Sequence, residues 1–178
     1  MPQVLSGSDF YTVMFYPHEI DIYRRLAEMR FFPKRQAGVV NQLVAKKLEG
    51  VENEMLGILG EAAVAEFVGA RIHSDASLYG DGGVSDLEVN GKTIQVKTSW
   101  HRHGGLLFMN RFKFKADVAV LSVTNKKLDG LVKVVGWTTR QQFMERAVDR
   151  DLGYGPCAYF EQHWLYPIHS LTNYLEGV

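Results

Sequence analysis

Cysteine is almost missing from this sequence: Cys157 is the only one in 178 residues. A single thiol excludes an internal disulfide and a multi-cysteine zinc site. No recognisable cysteine motif surrounds it, so a small buried or loop position is expected rather than a nucleophile. Net charge is missing too, because 20 Lys and Arg balance 20 Asp and Glu. The total therefore offers no argument for a polyanionic partner. No apolar run approaches the ~20 residues that span a bilayer, so no membrane partner is expected. The opening MPQVLSGSDFYTVMF has no basic residue ahead of its apolar stretch, so it does not read as a secretory leader. A cytoplasmic location is the expectation. Internal repeats, low-complexity tracts and linkers are absent as well. What remains, 46% hydrophobic and 22% charged, is ordinary globular composition at the length of one domain with a sizeable core.

Charge is unevenly spread. Between Val89 and Ala116 there is no Asp or Glu, while Lys92, Lys97, Arg102, Arg111, Lys113 and Lys115 all fall there. A second basic stretch holds Arg24, Arg25, Arg30, Lys34, Arg35, Lys46 and Lys47. Acids gather elsewhere, among them Glu145, Asp149, Asp151 and Glu161. Such a field can hold a polyanion at zero net charge, and it can equally be two solvated faces.

Hydrophobic spacing divides the chain into helices, then strands, then a short helix. HEIDIYRRLAEMRFF places Ile20, Tyr23, Leu26 and Ala27 on one helical face until Pro33 interrupts it. A second helix is expected over VVNQLVAKKLEG, closed by Gly50. ENEMLGILGEAAVAEFVG repeats Leu56, Leu59, Ala63, Val64, Phe67 and Val68 at helical spacing and ends at Gly69. Its small residues, Gly57, Gly60, Ala62, Ala63 and Ala65, would let the backbone lie close to a neighbour, and a sheet is the natural one. After a Gly- and Asp-rich loop around Leu78 to Val84 the period becomes two. Strands are expected over Asp86–Val89, Lys92–Trp100, Leu106–Asn110, Asp117–Thr124 and Leu131–Trp137. Thr138 or Thr139 can cap a helix reaching about Val148, with Gln141 or Gln142 at the box position. Short strand candidates fill the tail to Pro167, and His169 to Leu175 reads as a last helix. This order suggests a mixed α/β or α+β layer fold.

The strongest local signal is Asn90-Gly91 inside VSDLEVNGKTIQVKTS, because a type I′ hairpin turn needs positive φ at both central residues. A two-residue turn sets Val89 opposite Lys92, Glu88 opposite Thr93, Leu87 opposite Ile94 and Asp86 opposite Gln95. Alternation then collects Leu87, Val89, Ile94 and Val96 on one face, suited to packing on a helix. The other face takes Asp86, Glu88, Thr93, Gln95 and Lys97. On a lone edge ribbon that set would be a solvent face. Here the Val- and Leu-rich strands that follow argue for a hairpin within a larger sheet, and the set is chemically pointed. Asp86 offers a charged oxygen and Gln95 a neutral one, which suits a hard cation such as Mg²⁺. Lys97, one pleat further along, can orient a water and stabilise charge building on a phosphate.

These residues resemble the PD-(D/E)XK nuclease superfamily, which includes restriction endonucleases, Holliday junction resolvases and phage-type exonucleases. Its pattern is an acid at a strand start, then an acid, any residue and a lysine on the next strand. Here the positions read Asp86 and Gln95-Val96-Lys97, and LGILGEAAVAEFVG supplies the upstream helical glutamate as Glu61. DGGVSDLEVNGKTIQVKTS is especially similar to the Mrr-like branch, where glutamine in place of the second acid is a known variant. Ser85 stands where the family name has proline. The resemblance covers roughly Leu56 to Trp137, with ADVAVLSV and KVVGWTTRQQF similar to the later core strand and helix.

The resemblance implies a restriction-endonuclease-like α/β core, a central mixed sheet flanked by helices with the Asp86 hairpin at its heart. Residues 1–50 would be a helical elaboration for DNA contact or dimerisation, 51–148 the catalytic core and 149–178 a C-terminal extension. It implies hydrolysis of DNA with Mg²⁺ or Mn²⁺ held by Asp86, Gln95 and Glu61, and Lys97 as the catalytic lysine. A homodimer would suit coordinated double-strand cuts, and a bacterial cell or a phage-infected host would be the setting, with a phage or other mobile element as one source. Glu61 lies with Ile58, Ala65 and Val68 on the inner helix face, so its charge needs either a shared metal or a structural pair with Lys97. The competing class is a non-catalytic DNA-binding or assembly protein with a degraded site, which Gln95 would favour. Residue type alone does not separate DNA from RNA.

Further candidates are weighed on the residues alone. Glu88 sits nearer the turn and is expected to be exposed, and Asp81 is a loop ligand or ordinary turn chemistry. His101 and His103 could bind a metal, but with no cysteine or acid beside them a surface or phosphate contact is the better reading. Ser99, Arg102, Arg111, Lys113 and Lys115 are further candidates for nucleic-acid contact. Trp100, Phe108, Phe112 and Phe114, interleaved with these bases, fit either a nucleic-acid surface or period-two core packing.

Overall fold

A computed structural model describes residues 2–6, 10–36, 50–72, 85–153 and 155–177. The elements in order are β1 (Gln3–Ser6), β2 (Tyr11–Met14), α1 (Pro17–Gln36), α2 (Val51–Val68), β3 (Leu87–Val89), β4 (Lys92–Ser99), β5 (Leu106–Phe108), β6 (Val118–Thr124), β7 (Leu131–Thr139), α3 (Arg140–Arg146), β8 (Val148–Asp151), β9 (Pro156–Phe160), β10 (Tyr166–Pro167) and α4 (Ser170–Glu176). The helix expected over VVNQLVAKKLEG and the loop candidate Asp81 lie outside the described residues.

The chain is an α/β protein built on one mixed sheet with helices against it. The strand order is β1-β2-β7-β6-β4-β3, with β10 also pairing β7. The β4–β6 pair is parallel and the others are antiparallel. A second, three-stranded antiparallel sheet runs β5-β9-β8. Strand β6 is buried along almost its whole length, which explains its unbroken apolar sequence.

Alternation sends β4 and β6 side chains into two cores. On one face Leu87, Ile94, Val96, Val118 and Val120 pack with Ile58, Leu59, Ala62 and Ala63 of α2, Ala27 of α1 and Leu171 of α4. On the other, Ala119 and Leu121 meet Leu106, Phe108, Phe114, Phe143 and Phe160. Helix α2 lies close to the sheet, as its small residues predict. A Cβ on Gly60 would fall 1.9 Å from Thr98 Oγ1 and 2.4 Å from Ser122 Oγ, so only glycine permits this spacing. The helix ends at Gly69, in the left-handed conformation with φ 69°. Thr139 caps α3 by accepting from Gln142 N–H. Gln142 departs from the reciprocal capping box, because its amide oxygen accepts from the Thr138 hydroxyl at 2.7 Å.

Three expectations need correction. The first 50 residues are not simply a helical elaboration: β1 and β2 form a hairpin, and β2 pairs with β7, extending the central sheet. Val13 of β2 is wholly buried in the main core, and that long-range burial stabilises a strand too short to show a pattern of its own. Helix α1 continues through Pro33 to Gln36. A proline there forfeits one backbone hydrogen bond, to the Met29 carbonyl, and the packing of α1 through Ala27 on the main core outweighs it. The Asp86 hairpin is at the end of the described strand order rather than at its heart, with β3 as the edge strand and β4 paired on its far side to β6.

Candidate active site

The hairpin forms as its sequence dictates. Asn90 and Gly91 have φ of 52° and 74°, and the pairs are Val89 with Lys92, Glu88 with Thr93 and Leu87 with Ile94. Its turn is held against the end of α4: Asn90 Nδ2 donates to Leu175 O, and Lys92 Nζ donates to Tyr174 O and lies over the Tyr174 ring. A cation there complements the carbonyls at a helix C-terminus, so Lys92 has a structural task.

Regular pairing stops one residue short of the expected Asp86–Gln95 partnership. Asp86 N–H still donates to Ile94 O at 2.9 Å. Its carboxylate then bends inward, and Oδ2 accepts from Val96 N–H at 2.6 Å. A continued ladder would have offered that N–H the carbonyl of Ser85. Asp86 thus replaces backbone with a charged side chain at the point where β3 begins.

Glu61 comes to this region from α2. Its carboxylate pairs with Arg30 of α1, Nη1 lying 2.9 Å from Oε2 and 3.2 Å from Oε1. The two side chains are only 13% and 14% exposed. Burial pushes the Glu61 carboxyl above the usual carboxylate range, the nearby Asp86 charge pushes the same way, and Arg30 offsets this only in part. Asp86 and Glu61 are therefore brought together. The structural partner of Glu61 is Arg30 and not Lys97, and in the sequence Arg30 stood out only as one member of a basic stretch.

Gln95 and Lys97 share the opposite face of β4, turned to the second core. Lys97 Nζ sits 5.1 Å from the centroid of the Phe108 ring, and among the described residues it forms no ion pair. Gln95 Oε1 is buried with no hydrogen-bond partner, the one such side-chain atom among the described residues. The contrast with other buried polar groups is sharp. Ser122 bonds Thr98 at 2.9 Å and Thr124 bonds Leu131 O at 2.7 Å. An orphaned buried carbonyl is uncommon and calls for a ligand or water. Among the described residues no group of three or more His, Cys, Asp and Glu gathers as a metal cluster, so a cation here would need the amide oxygen as well as the carboxylates.

The remaining candidates separate by environment. Glu88 is exposed near the turn, as expected. His101, Arg102 and His103 are exposed; Trp100 Nε1 donates to His101 Nε2 at 2.7 Å, and Ser99 Oγ accepts from His101 N–H. Arg111 Nη1 donates to Met144 O at 2.9 Å, while Lys113 and Lys115 are exposed. Phe108 and Phe114 are core residues stacked at 5.0 Å, so the packing reading holds for them; Phe112 is outside the core. Cys157 is buried with Sγ 3.2 Å from Arg150 O, and burial pushes its thiol up, away from a reactive thiolate. No described helix is long and apolar enough to cross a membrane.

No protein-family model matches the chain, and comparison with curated proteins and with solved structures returned no match.

Proposed function

We propose that the chain is a metal-dependent nuclease that hydrolyses DNA phosphodiester bonds, on a restriction-endonuclease-like core. The observation that carries this reading is the Gln95 oxygen, buried without a partner two residues before Lys97 on the strand that Asp86 closes. A neutral amide oxygen and the Asp86 and Glu61 carboxylates are the donor types that a hard cation such as Mg²⁺ or Mn²⁺ takes. Asp86 and Gln95 would hold it, with Glu61 as a direct or water-mediated ligand. Bound there, the metal supplies an activated water and neutralises phosphate charge. Lys97, a cation over the Phe108 ring, would orient the water and meet charge building on the phosphate. Arg30 holds the Glu61 carboxylate in place.

The test pairs cleavage with metal binding. Plasmid, linear and branched DNA are incubated with Mg²⁺ or Mn²⁺, and wild type is compared with Asp86→Ala and Lys97→Ala. Wild-type cleavage that both variants lose supports the assignment, and equal cleavage by either variant sinks it. Mn²⁺ at a hundredfold excess over its Kd would add about 2.7 kcal/mol of stability to a protein that binds it. Wild type is expected to show that rise in melting temperature and Asp86→Ala is not.

The second reading is a non-catalytic DNA-binding or assembly protein. The Arg30–Glu61 pair favours it, since Glu61 already has a counter-charge. Mn²⁺ binding that depends on Asp86, without cleavage of any substrate, would select this reading.

A further inference from the structure

The short 3₁₀ turn Arg111–Lys113 follows β5 and carries Phe112 outward. Phe112 is 75% exposed, the most exposed large hydrophobic among the described residues. A lone surface phenylalanine is unremarkable, but this one is built into a rigid support. Two residues on, Phe114 is fully buried, stacked on Phe108 and edge-on to Phe143 at 5.3 Å. On the near side Arg111 is tied to Met144 O, with Asp149 3.7 Å from its Nη2. The backbone closes with Lys113 N–H on Asn110 O and Phe114 N–H on Arg111 O. Phe112 is thus displayed by a turn pinned at both ends.

The chain on its C-terminal side is basic and suits a polyanion. Lys113 and Lys115 follow it, both exposed, in the stretch from residue 90 to 116 that has no acid. The turn also starts close to the candidate site. Phe108, the ring beneath Lys97 Nζ, is four residues before Phe112, a span of at most about 14 Å of extended chain. That distance is a few nucleotides along a strand.

We infer that Phe112 is a stacking platform for an unpaired DNA base, with Lys113 and Lys115 gripping the neighbouring phosphates. The substrate is then DNA with single-stranded character, such as an end, a gap or a branch. An aromatic face accepts any base, and lysines read only the backbone, so recognition is of structure and not of sequence. The role in cutting rests on the nuclease reading; the binding site does not.

The experiment is fluorescence anisotropy in EDTA with three labelled probes: an oligothymidylate, an abasic strand of equal length and a blunt duplex. Wild type is expected to prefer the oligothymidylate. Phe112→Ala should weaken that binding by roughly tenfold and leave the abasic strand unaffected, and Phe112→Trp should restore it. Changing Lys113 and Lys115 to Ala together should weaken both strands alike and flatten the salt dependence by about 1.4 units of slope. The inference is overturned if wild type binds the abasic strand as tightly as the oligothymidylate, or if Phe112→Ala binds like wild type. Cleavage with Mn²⁺ separates the two claims. Normal cutting with no Phe112 effect on binding removes the platform alone. Phe112-dependent binding with no cleavage of any DNA leaves the platform standing and removes the nuclease reading alone.

Discussion

Gly57 and Gly60 lie one turn apart on α2, and replacing each with alanine should move stability in opposite directions. In a helix interior alanine is favoured over glycine by about 1 kcal/mol, so propensity alone predicts a gain at both positions. At Gly57 nothing opposes it, since a Cβ there would meet only Glu61 Oε1 at 3.9 Å, an ordinary contact. At Gly60 the new methyl would overlap Thr98 Oγ1 at 1.9 Å, Ser122 Oγ at 2.4 Å and Thr98 Cβ at 3.0 Å. These atoms are not free to swing aside cheaply, because Ser122 and Thr98 hydrogen-bond each other at 2.9 Å beneath the helix. Overpacking costs ~1–3 kcal/mol and the lost hydrogen bond about 1 more, against the ~1 kcal/mol propensity gain. Gly60→Ala should therefore be destabilised by roughly 2 kcal/mol, a fall in Tm of about 4–8 °C, while Gly57→Ala rises by a few degrees. Thermal and urea unfolding of the three proteins measure this directly. Because Glu61 follows Gly60, lifting α2 should also move Glu61 away from Asp86 and weaken Mn²⁺ binding in Gly60→Ala. If Gly60→Ala is as stable as Gly57→Ala, the close packing of α2 on β4 and β6 is wrong, and the placement of Glu61 with it.

Arg30→Gln leaves Glu61 buried beside Asp86 without its counter-charge and should cost about 3 kcal/mol at neutral pH by urea unfolding. Glu61 is the group left charged, so this deficit should shrink as pH falls through its raised pKa; a deficit independent of pH would assign the loss to packing. Asp117 accepts from Thr93 N–H at 2.8 Å and Thr93 Oγ1 at 2.7 Å, which hold its carboxyl below the usual range. Its stabilising contribution is present above the ordinary aspartate pKa and lost as pH falls through the lower folded value, so the gap between wild type and Asp117→Ala should narrow in acid. Thr139→Ala removes the α3 cap, whose Oγ1 accepts from Gln142 N–H at 3.1 Å, and should cost about 1 kcal/mol; an unchanged Tm would show the cap to be idle.

Local chemistry was legible where one short segment holds the whole cause. Asn90-Gly91 demands a two-residue turn, and the turn sets the register and the two faces of the hairpin. The run of small residues in α2, its Gly69 stop and the Thr139 cap follow in the same way from propensity and hydrogen-bonding chemistry. Asp86, Gln95 and Lys97 could be singled out because spacing and residue type are sequence properties. Partners brought together by folding were not legible. β2 gains its strand from β7, more than a hundred residues later. Whether the Asp86 hairpin stands at an edge or at the centre depends on which strands pair beyond it. Phe112 and Phe114 share the same alternating pattern, and only the position of Phe143 and Phe108 decides that Phe114 is core and Phe112 is not. Glu61 was visible as a charge on an apolar helix face, but that Arg30 meets it was decided by how α1 packs on α2. Register, caps and turns arise within a few residues of chain, whereas counter-ions, buried orphans and exposed faces are set by contacts between segments far apart in sequence.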